Sequence, residues 1–303
     1  MHDIAANAVL ACLLEVSSHK PGNVNRYRDF KDTKFEHFLA TSASFYKPAY
    51  EAAFRGSLSS RGKIDYSQIG IGYLIREAVE RADKFHGGGN TNLGISILLI
   101  PLCAAAGSIM SRDNKIEIER LKDEAGKIII ETTYKDTYEL FRAINIANAG
   151  GLRVVEEYDV RDKNSINDII RNNISFYDIM GITERDTVAA EISNNYKITF
   201  ETGYNGLMEE YTSTKDINLA ILKTFFMILS EYPDSLIVKK TSRKVGEEIS
   251  NMAKEILKMG LKKEAIDELD DYLRSRGNLY NPGTTADITA ASIFVCLLGG
   301  LKL

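Results

Sequence analysis

The side chains able to do chemistry fall into three polar stretches near residues 20, 90 and 284, each containing glycine or proline and each abutting an apolar segment. The middle one reads His86-Gly87-Gly88-Gly89-Asn90-Thr91-Asn92-Leu93-Gly94 and runs into an uncharged segment, Ile95 to Met110. Glycine permits positive φ and close approach of backbone to a ligand. Asn90 or Thr91 stands where it can cap the helix that the apolar run implies. A glycine-rich loop feeding a helix N-terminus aims free N–H groups and the positive end of the helix dipole at one point, which suits phosphate or another anion. A flexible turn before a capped core helix has the same signature. The spacing fits neither G-x-G-x-x-G nor G-x-x-x-x-G-K-[ST].

The first stretch, Ser17-Ser18-His19-Lys20-Pro21-Gly22-Asn23-Val24-Asn25, continues through Arg26-Tyr27-Arg28-Asp29-Phe30-Lys31-Asp32 and mixes charge with aromatics. Glu15 precedes it and shares a helix face with Ala8, Ala11 and Cys12. A carboxylate on such a face either meets a neighbouring backbone, lines a cavity, or sits at the helix end in solvent. The third stretch runs Asn281-Pro282-Gly283-Thr284-Thr285-Ala286-Asp287. Thr284 with Asp287 fits the capping pattern T-x-x-D, so capping explains Asp287 as well as a site role does. A shorter loop, Tyr232-Pro233-Asp234-Ser235, precedes the basic run Lys239, Lys240, Arg243, Lys244, which reads most simply as a solvated face.

Helices must position these loops. Helical spacing predicts segments from Asp3 to Val16, Thr33 to Phe54 (with Pro48 kinking or restarting it), Ser67 to Phe85 and Gly94 to Met110. Others follow from Asn114 to Lys127, Ile128 to Asn148 (closed by Ala149-Gly150-Gly151), Asp216 to Glu231, Gly246 to Met259, Lys262 to Arg276 and Ile288 to Leu301. Between Leu152 and Thr214 the pattern weakens, and Asn195 to Phe200 reads as strand or irregular helix. The expectation is an all-α, multi-helix bundle in one domain, residues 1–303, with the two uncharged helices at its centre. In such a bundle the three loops can converge on one end and build a single site from helix termini.

Composition narrows the function classes. The chain is 44% apolar and 26% charged, ordinary for a soluble globular protein. A net charge of −4 argues against a nucleic-acid partner held through phosphates. Cys12, Cys103 and Cys296 are odd in number and lie in apolar contexts, which reads as reduced core thiols in a cytoplasmic protein. His2, His19, His37 and His86 have no metal-ligand spacing. No signal peptide is read at the start, where Asp3 and Asn7 interrupt any apolar core. Gly94 to Met110 contains Pro101 and is short for a membrane span.

Three motifs in this order resemble a known family: Lys20-Pro21-Gly22-x-Val24 after a helix bearing Glu15, then Gly89-Asn90-Thr91-x-x-Gly94, then Pro282-Gly283-x-x-Ala286-Asp287. The chain is similar in these to the triphosphoribosyl-dephospho-CoA synthases, over most of its length and least between Leu152 and Thr214. The resemblance implies an all-helical transferase that moves the 5-triphosphoribosyl group of ATP to the 2′-hydroxyl of 3′-dephospho-CoA and releases adenine, in the biosynthesis of a prosthetic group. Three positions depart from the bacterial pattern. Asn92 stands where a histidine is usual, Asn25 where an acid is, and Phe30-Lys31-Asp32 keeps only the acid of a histidine-x-aspartate. These changes leave a related acceptor, a nucleosidase, or an adenine-nucleotide or CoA-binding protein as the alternative reading.

Such a reaction passes through an oxocarbenium-like transition state, as glycoside cleavage does. It needs a base for the incoming hydroxyl, a donor for the departing adenine, and countercharge for the triphosphate. The resemblance makes Glu15 and Asp32 candidates for base or oxocarbenium stabiliser. Asp234 and Asp287 are then the candidates to hold Mg²⁺ brought with ATP. Lys20 and the N–H groups from Gly88 to Thr91 would hold phosphates, with Lys239 as an additional cation. Gly22, Asn23, Asn92, Gly94, Asn281, Gly283 and Thr284 complete the expected substrate-binding set.

Overall fold

The computed structural model describes residues 1–147, 163–183 and 185–303. It opens with α1 (His2–Ser17), α2 (Phe35–Ser60), α3 (Ile71–Phe85), α4 (Leu93–Asp113), α5 (Ile118–Ile130) and α6 (Tyr134–Ala147). After them come α7 (Lys163–Arg171), α8 (Phe176–Ile182), α9 (Thr187–Ser193), α10 (Asn205–Thr214) and α11 (Ile217–Glu231). The chain closes with α12 (Ser235–Lys240), α13 (Arg243–Lys258), α14 (Lys263–Arg274) and α15 (Gly283–Leu298). The fold is all-α, and among the described residues the only extended pairing is an isolated bridge between Asn25 and Arg28. The expected end of a helix at Asn148 and its Ala149-Gly150-Gly151 close lie outside the described residues.

Helix α4 forms the centre because it has no solvated face to offer. Leu98, Leu99, Ile100 and Leu102 are fully buried, each contributing about 1.5–3 kcal/mol of transfer free energy. By length and composition α4 could cross a membrane, yet 89% of its apolar window is buried inside the protein. It packs on α1, α2, α3, α5 and α15. The α2–α4 crossing is close enough that a Cβ on Gly56 would overlap the Ala104 carbonyl, and one on Gly107 the Ala53 carbonyl. Pro48 lies inside α2, which continues through it to Ser60. The second central helix, α15, carries a single charged residue, Asp287, is buried almost throughout and packs on α1 and α4. A smaller apolar cluster joins α11, α13 and α14 through Phe225, Phe226, Ile249, Leu269 and Leu273.

Some local expectations give way to longer-range contacts. The segment Asn195 to Phe200 leads into a π-helix, Ile198–Tyr204, and not a strand. Its first turn is held by buried Glu191, which accepts from the Ile198 and Thr199 amides, both at 2.7 Å. The loop expected at Asp234-Ser235 instead starts the short helix α12. Asp3 does not cap α1 with its side chain. Helix α15 begins at Gly283, so Thr284 and Asp287 lie within it and form no side-chain cap.

Candidate active site

The three polar loops meet. Asn23 Nδ2 donates to Asn281 Oδ1 at 2.6 Å, joining the first loop to the third. Gly22 has φ of +75°, and a Cβ there would press on Leu273 and Pro282. The third loop leads into α15, where the Asp287 carboxylate lies against Gly94 so closely that a Cβ on Gly94 would overlap Oδ2. The first loop is gripped from α14: the Gly22 amide donates to Asp270 Oδ1 at 2.7 Å. Arg274 donates to that same oxygen and to the carbonyls of Asn23 and Asp29, while its guanidinium lies over the Phe30 ring. Arg28 bridges Asp270 and Asp271 at 2.7 and 2.6 Å.

Four carboxylates were expected to carry the chemistry, and the structure separates them. Glu15 is 4% exposed and Lys20 fully buried. The lysine ammonium stands 2.9 Å from Glu15 Oε1 and also donates to the Glu15 and Ser18 carbonyls. Lys20 therefore has all three donors engaged and corrects the expectation of a phosphate-holding lysine: it is the countercharge of Glu15. Burial pushes the Glu15 carboxyl above its ordinary pKa, and Lys20 opposes that shift. Glu15 Oε2 has no hydrogen bond among the described residues. Asp287, half-buried, has neither a hydrogen bond nor an ion pair among the described residues. Burial first, and then Glu15, Asp234 and Asp186, hold its carboxyl well above the ordinary range. The same two neighbours, Glu15 and Asp287, add to burial in pushing up the Cys12 thiol.

Asp234 is a structural carboxylate. Oδ1 accepts from the Leu236 and Ile237 amides and caps α12. Oδ2 accepts from the Thr285 amide and hydroxyl at 2.7 and 2.9 Å. With both oxygens saturated and the residue 2% exposed, Asp234 has no lone pair for Mg²⁺, which corrects the metal role expected of it. Asp32 is exposed, with neither a hydrogen bond nor an ion pair among the described residues. Its neighbour Thr33 donates to the Gly88 carbonyl at 3.1 Å, so this end of the first loop runs beside the glycine loop. Lys239 is ion-paired with Asp186, the cap of α9. Thr284 meets Ser235 hydroxyl to hydroxyl at 3.1 Å. Gly283 makes room for Leu236, and Asn281 also donates to Asn278.

At the glycine loop the N-cap of α4 is Asn92, without a side-chain cap, and neither Asn90 nor Thr91 holds that position; Asn90 Oδ1 accepts from the Asn92 and Leu93 amides at 3.3 and 3.0 Å in the turn just before the helix. Asn92 is buried and donates to the Ala78 carbonyl at 3.2 Å, so its side chain ties α4 to α3. Gly89 has φ of +74° and open space beside it. The amides of Gly89, Asn90 and Thr91 have no partner among the described residues, whereas that of Gly88 donates to His86 Nδ1 at 3.0 Å. The His37 ring packs on Gly88 and stacks on His86 with centroids 5.1 Å apart. His86 Nε2 reaches the hydroxyls of Thr41 at 2.7 Å and Thr91 at 3.1 Å. Sequence reading missed this group and the Asp270–Arg274 grip. Each joins residues distant in the chain, and only the His86-to-Thr91 proximity had a local signal.

The arrangement offers an anion-seeking loop, an unpaired carboxylate and a lysine-paired carboxylate around one junction. A family profile described as ATP:dephospho-CoA triphosphoribosyl transferase matches residues 1–302. Among solved structures, a protein from Archaeoglobus fulgidus, described as a candidate triphosphoribosyl-dephospho-CoA synthase, superposes with a TM-score of 0.62 at 25% identity. The match covers 84% of this chain and 99% of that one. No curated protein matches the sequence. With the profile spanning nearly every residue and the helical scaffold shared, the chain belongs to the ATP:dephospho-CoA triphosphoribosyl transferase family.

Proposed function

We propose that the junction of the three loops is where this transferase moves the 5-triphosphoribosyl group of ATP onto the 2′-hydroxyl of 3′-dephospho-CoA. In that reaction the bond from ribose C1′ to adenine breaks and a bond from C1′ to the acceptor oxygen forms. The hydroxyl proton passes to a base and adenine leaves with the bonding electron pair. Glu15 is the base in this reading, because its Oε2 is unpartnered while Lys20 holds the other oxygen in place. The unpaired amides of Gly89, Asn90 and Thr91, at the N-terminus of α4, are the groups suited to the triphosphate. The observation that carries the proposal is Asp287, an unpaired carboxylate pressed on Gly94 at the head of that helix. A protein pays a desolvation cost for such a group, which a cationic ligand or developing positive charge would offset.

Mg²⁺ fits as part of the ATP complex. No cluster of three or more ligating side chains occurs among the described residues, and Mg²⁺ commonly takes one or two carboxylates plus substrate phosphates. Asp287 would hold it, and the ion would neutralise triphosphate charge. Three buried free thiols, Cys12, Cys103 and Cys296, support a reducing, cytoplasmic setting. The test is adenine release from ATP with Mg²⁺, with and without dephospho-CoA. Release that requires the acceptor is expected. Release without it would favour a nucleosidase on the same framework, and no release by folded protein would overturn the proposal.

A further inference from the structure

Beneath the glycine loop lies a narrow cavity of about 10 Å³ between Glu15, Phe38, Thr41, Thr91 and Asn92. That is room for one oxygen-sized group. Phe38 alone among its lining residues is not buried, so it marks the way in. Distances order the hydrogen bonds around the cavity, with His86 Nε2 nearer Thr41 than Thr91. The Gly88 amide donates to His86 Nδ1, so the neutral ring must bear its proton on Nε2. Burial first, and then His37, hold the imidazole pKa below its ordinary value and favour that neutral ring. Nε2–H therefore donates to Thr41 Oγ1 at 2.7 Å. Either hydroxyl of the Thr41–Thr91 contact, 2.6 Å long, can donate; with Thr41 as donor the chain of bonds ends at Thr91. Thr91, already an acceptor, has its own proton left over, with no partner among the described residues.

Glu15 lines the same cavity, and its Oε2 is an acceptor without a donor among the described residues. A group between the two must accept from Thr91 and donate to Glu15, which describes a hydroxyl. We propose that this cavity seats a substrate hydroxyl, with Thr91 donating to its oxygen and Glu15 receiving its proton. Thr41 and His86 are positioning residues that set the direction of the Thr91 hydroxyl. The inference rests on the transferase reading above and adds Thr91 as the donor that complements Glu15.

Steady-state kinetics of Thr91→Val, Thr91→Ser, Thr41→Val and the Thr41→Val/Thr91→Val pair test it, with melting curves to confirm folding. Thr91→Val should lose about 10- to 100-fold in kcat/KM, the scale of a hydrogen bond to a charge-bearing site. Thr91→Ser, which keeps the hydroxyl, should recover most of that. Thr41→Val should lose less, and nothing further once Thr91 is valine, because the relay then has no end. Calorimetric binding of ATP alone and of dephospho-CoA alone reports whose hydroxyl is seated: the substrate that Thr91→Val weakens is the one. Thr91→Val within twofold of the parent in both kinetics and binding, or Thr41 and Thr91 losses that simply multiply, would overturn the inference. Because the titrations need no turnover, an inactive parent enzyme would sink the transfer reading and not this one.

Discussion

Breaking the Glu15–Lys20 pair is the sharpest perturbation available, because both partners are inside the protein. Their side chains are 5% and 0% exposed and the charges stand 2.9 Å apart. Removing one member of a buried pair costs about 3–5 kcal/mol, since the other charge stays behind without its counterion. In Glu15→Gln the ammonium keeps neutral acceptors, including the Glu15 and Ser18 backbone carbonyls, so the loss should fall near the lower end, at about 3 kcal/mol. In Lys20→Met the Glu15 carboxylate is left buried within reach of Asp287, so the loss should fall near the upper end, at about 5 kcal/mol by the same rule. The double variant removes both charges and should lose much less than the sum, giving a coupling on the order of 3 kcal/mol. Each single variant should melt lower by roughly 5–8 °C. Urea and thermal unfolding followed by circular dichroism read all four proteins. Single losses below about 1 kcal/mol, adding without coupling, would refute a buried pair and return Lys20 to the surface.

Asp287→Asn should cut turnover on the order of 10²-fold while leaving Tm unchanged or higher, because no cap or ion pair is lost. The folded carboxyl titrates well above its ordinary 3.8, so its contribution to stability is complete below that pH and declines as pH rises. Chemical denaturation across pH should show the asparagine variant freed of that decline. His86 behaves in the opposite sense: its pKa is held below the ordinary 6.5 by burial and His37, against a weaker opposite pull from Asp83. Its contribution is present above pH 6.5 and lost as pH falls toward the folded pKa. His86→Asn, able to accept the Gly88 amide, should flatten the fall in urea midpoint between about pH 7 and 5. Gly94→Ala should gain up to about 1 kcal/mol of helix propensity, yet lower turnover at least tenfold because Asp287 Oδ2 must move. Parent-level turnover in Gly94→Ala would detach that contact from catalysis.

Much of the scaffold could be read from local pattern. The uncharged runs gave α4 and α15 as central helices, since a segment without charge has no face to hydrate. Helix breakers gave the loops near residues 20, 90 and 284, and glycine at position 89 adopts the positive φ that a tight loop ahead of a helix uses. Boundaries were less secure: α15 begins at Gly283, ahead of the expected Ile288, and that shift alone removes the Thr284–Asp287 cap. Asn195 to Phe200 had no clear period, and the π-helix there depends on Glu191 satisfying its first amides.

The residue types able to do chemistry were in the sequence, but which of them remain free was not. Asp234 and Asp287 look equivalent as loop carboxylates. One is saturated by four donors from α12 and α15, and the other is unpaired against Gly94. Lys20 looks like a phosphate ligand until Glu15 is folded over it. The loop that holds Gly22 is anchored by Asp270, 248 positions away. Periodicity and turn chemistry act over a few residues, so the sequence by itself determines where helices run and where loops interrupt them. Charge satisfaction is settled by whichever groups arrive when distant helices pack, and so only the tertiary structure decided which carboxylates stay available for chemistry.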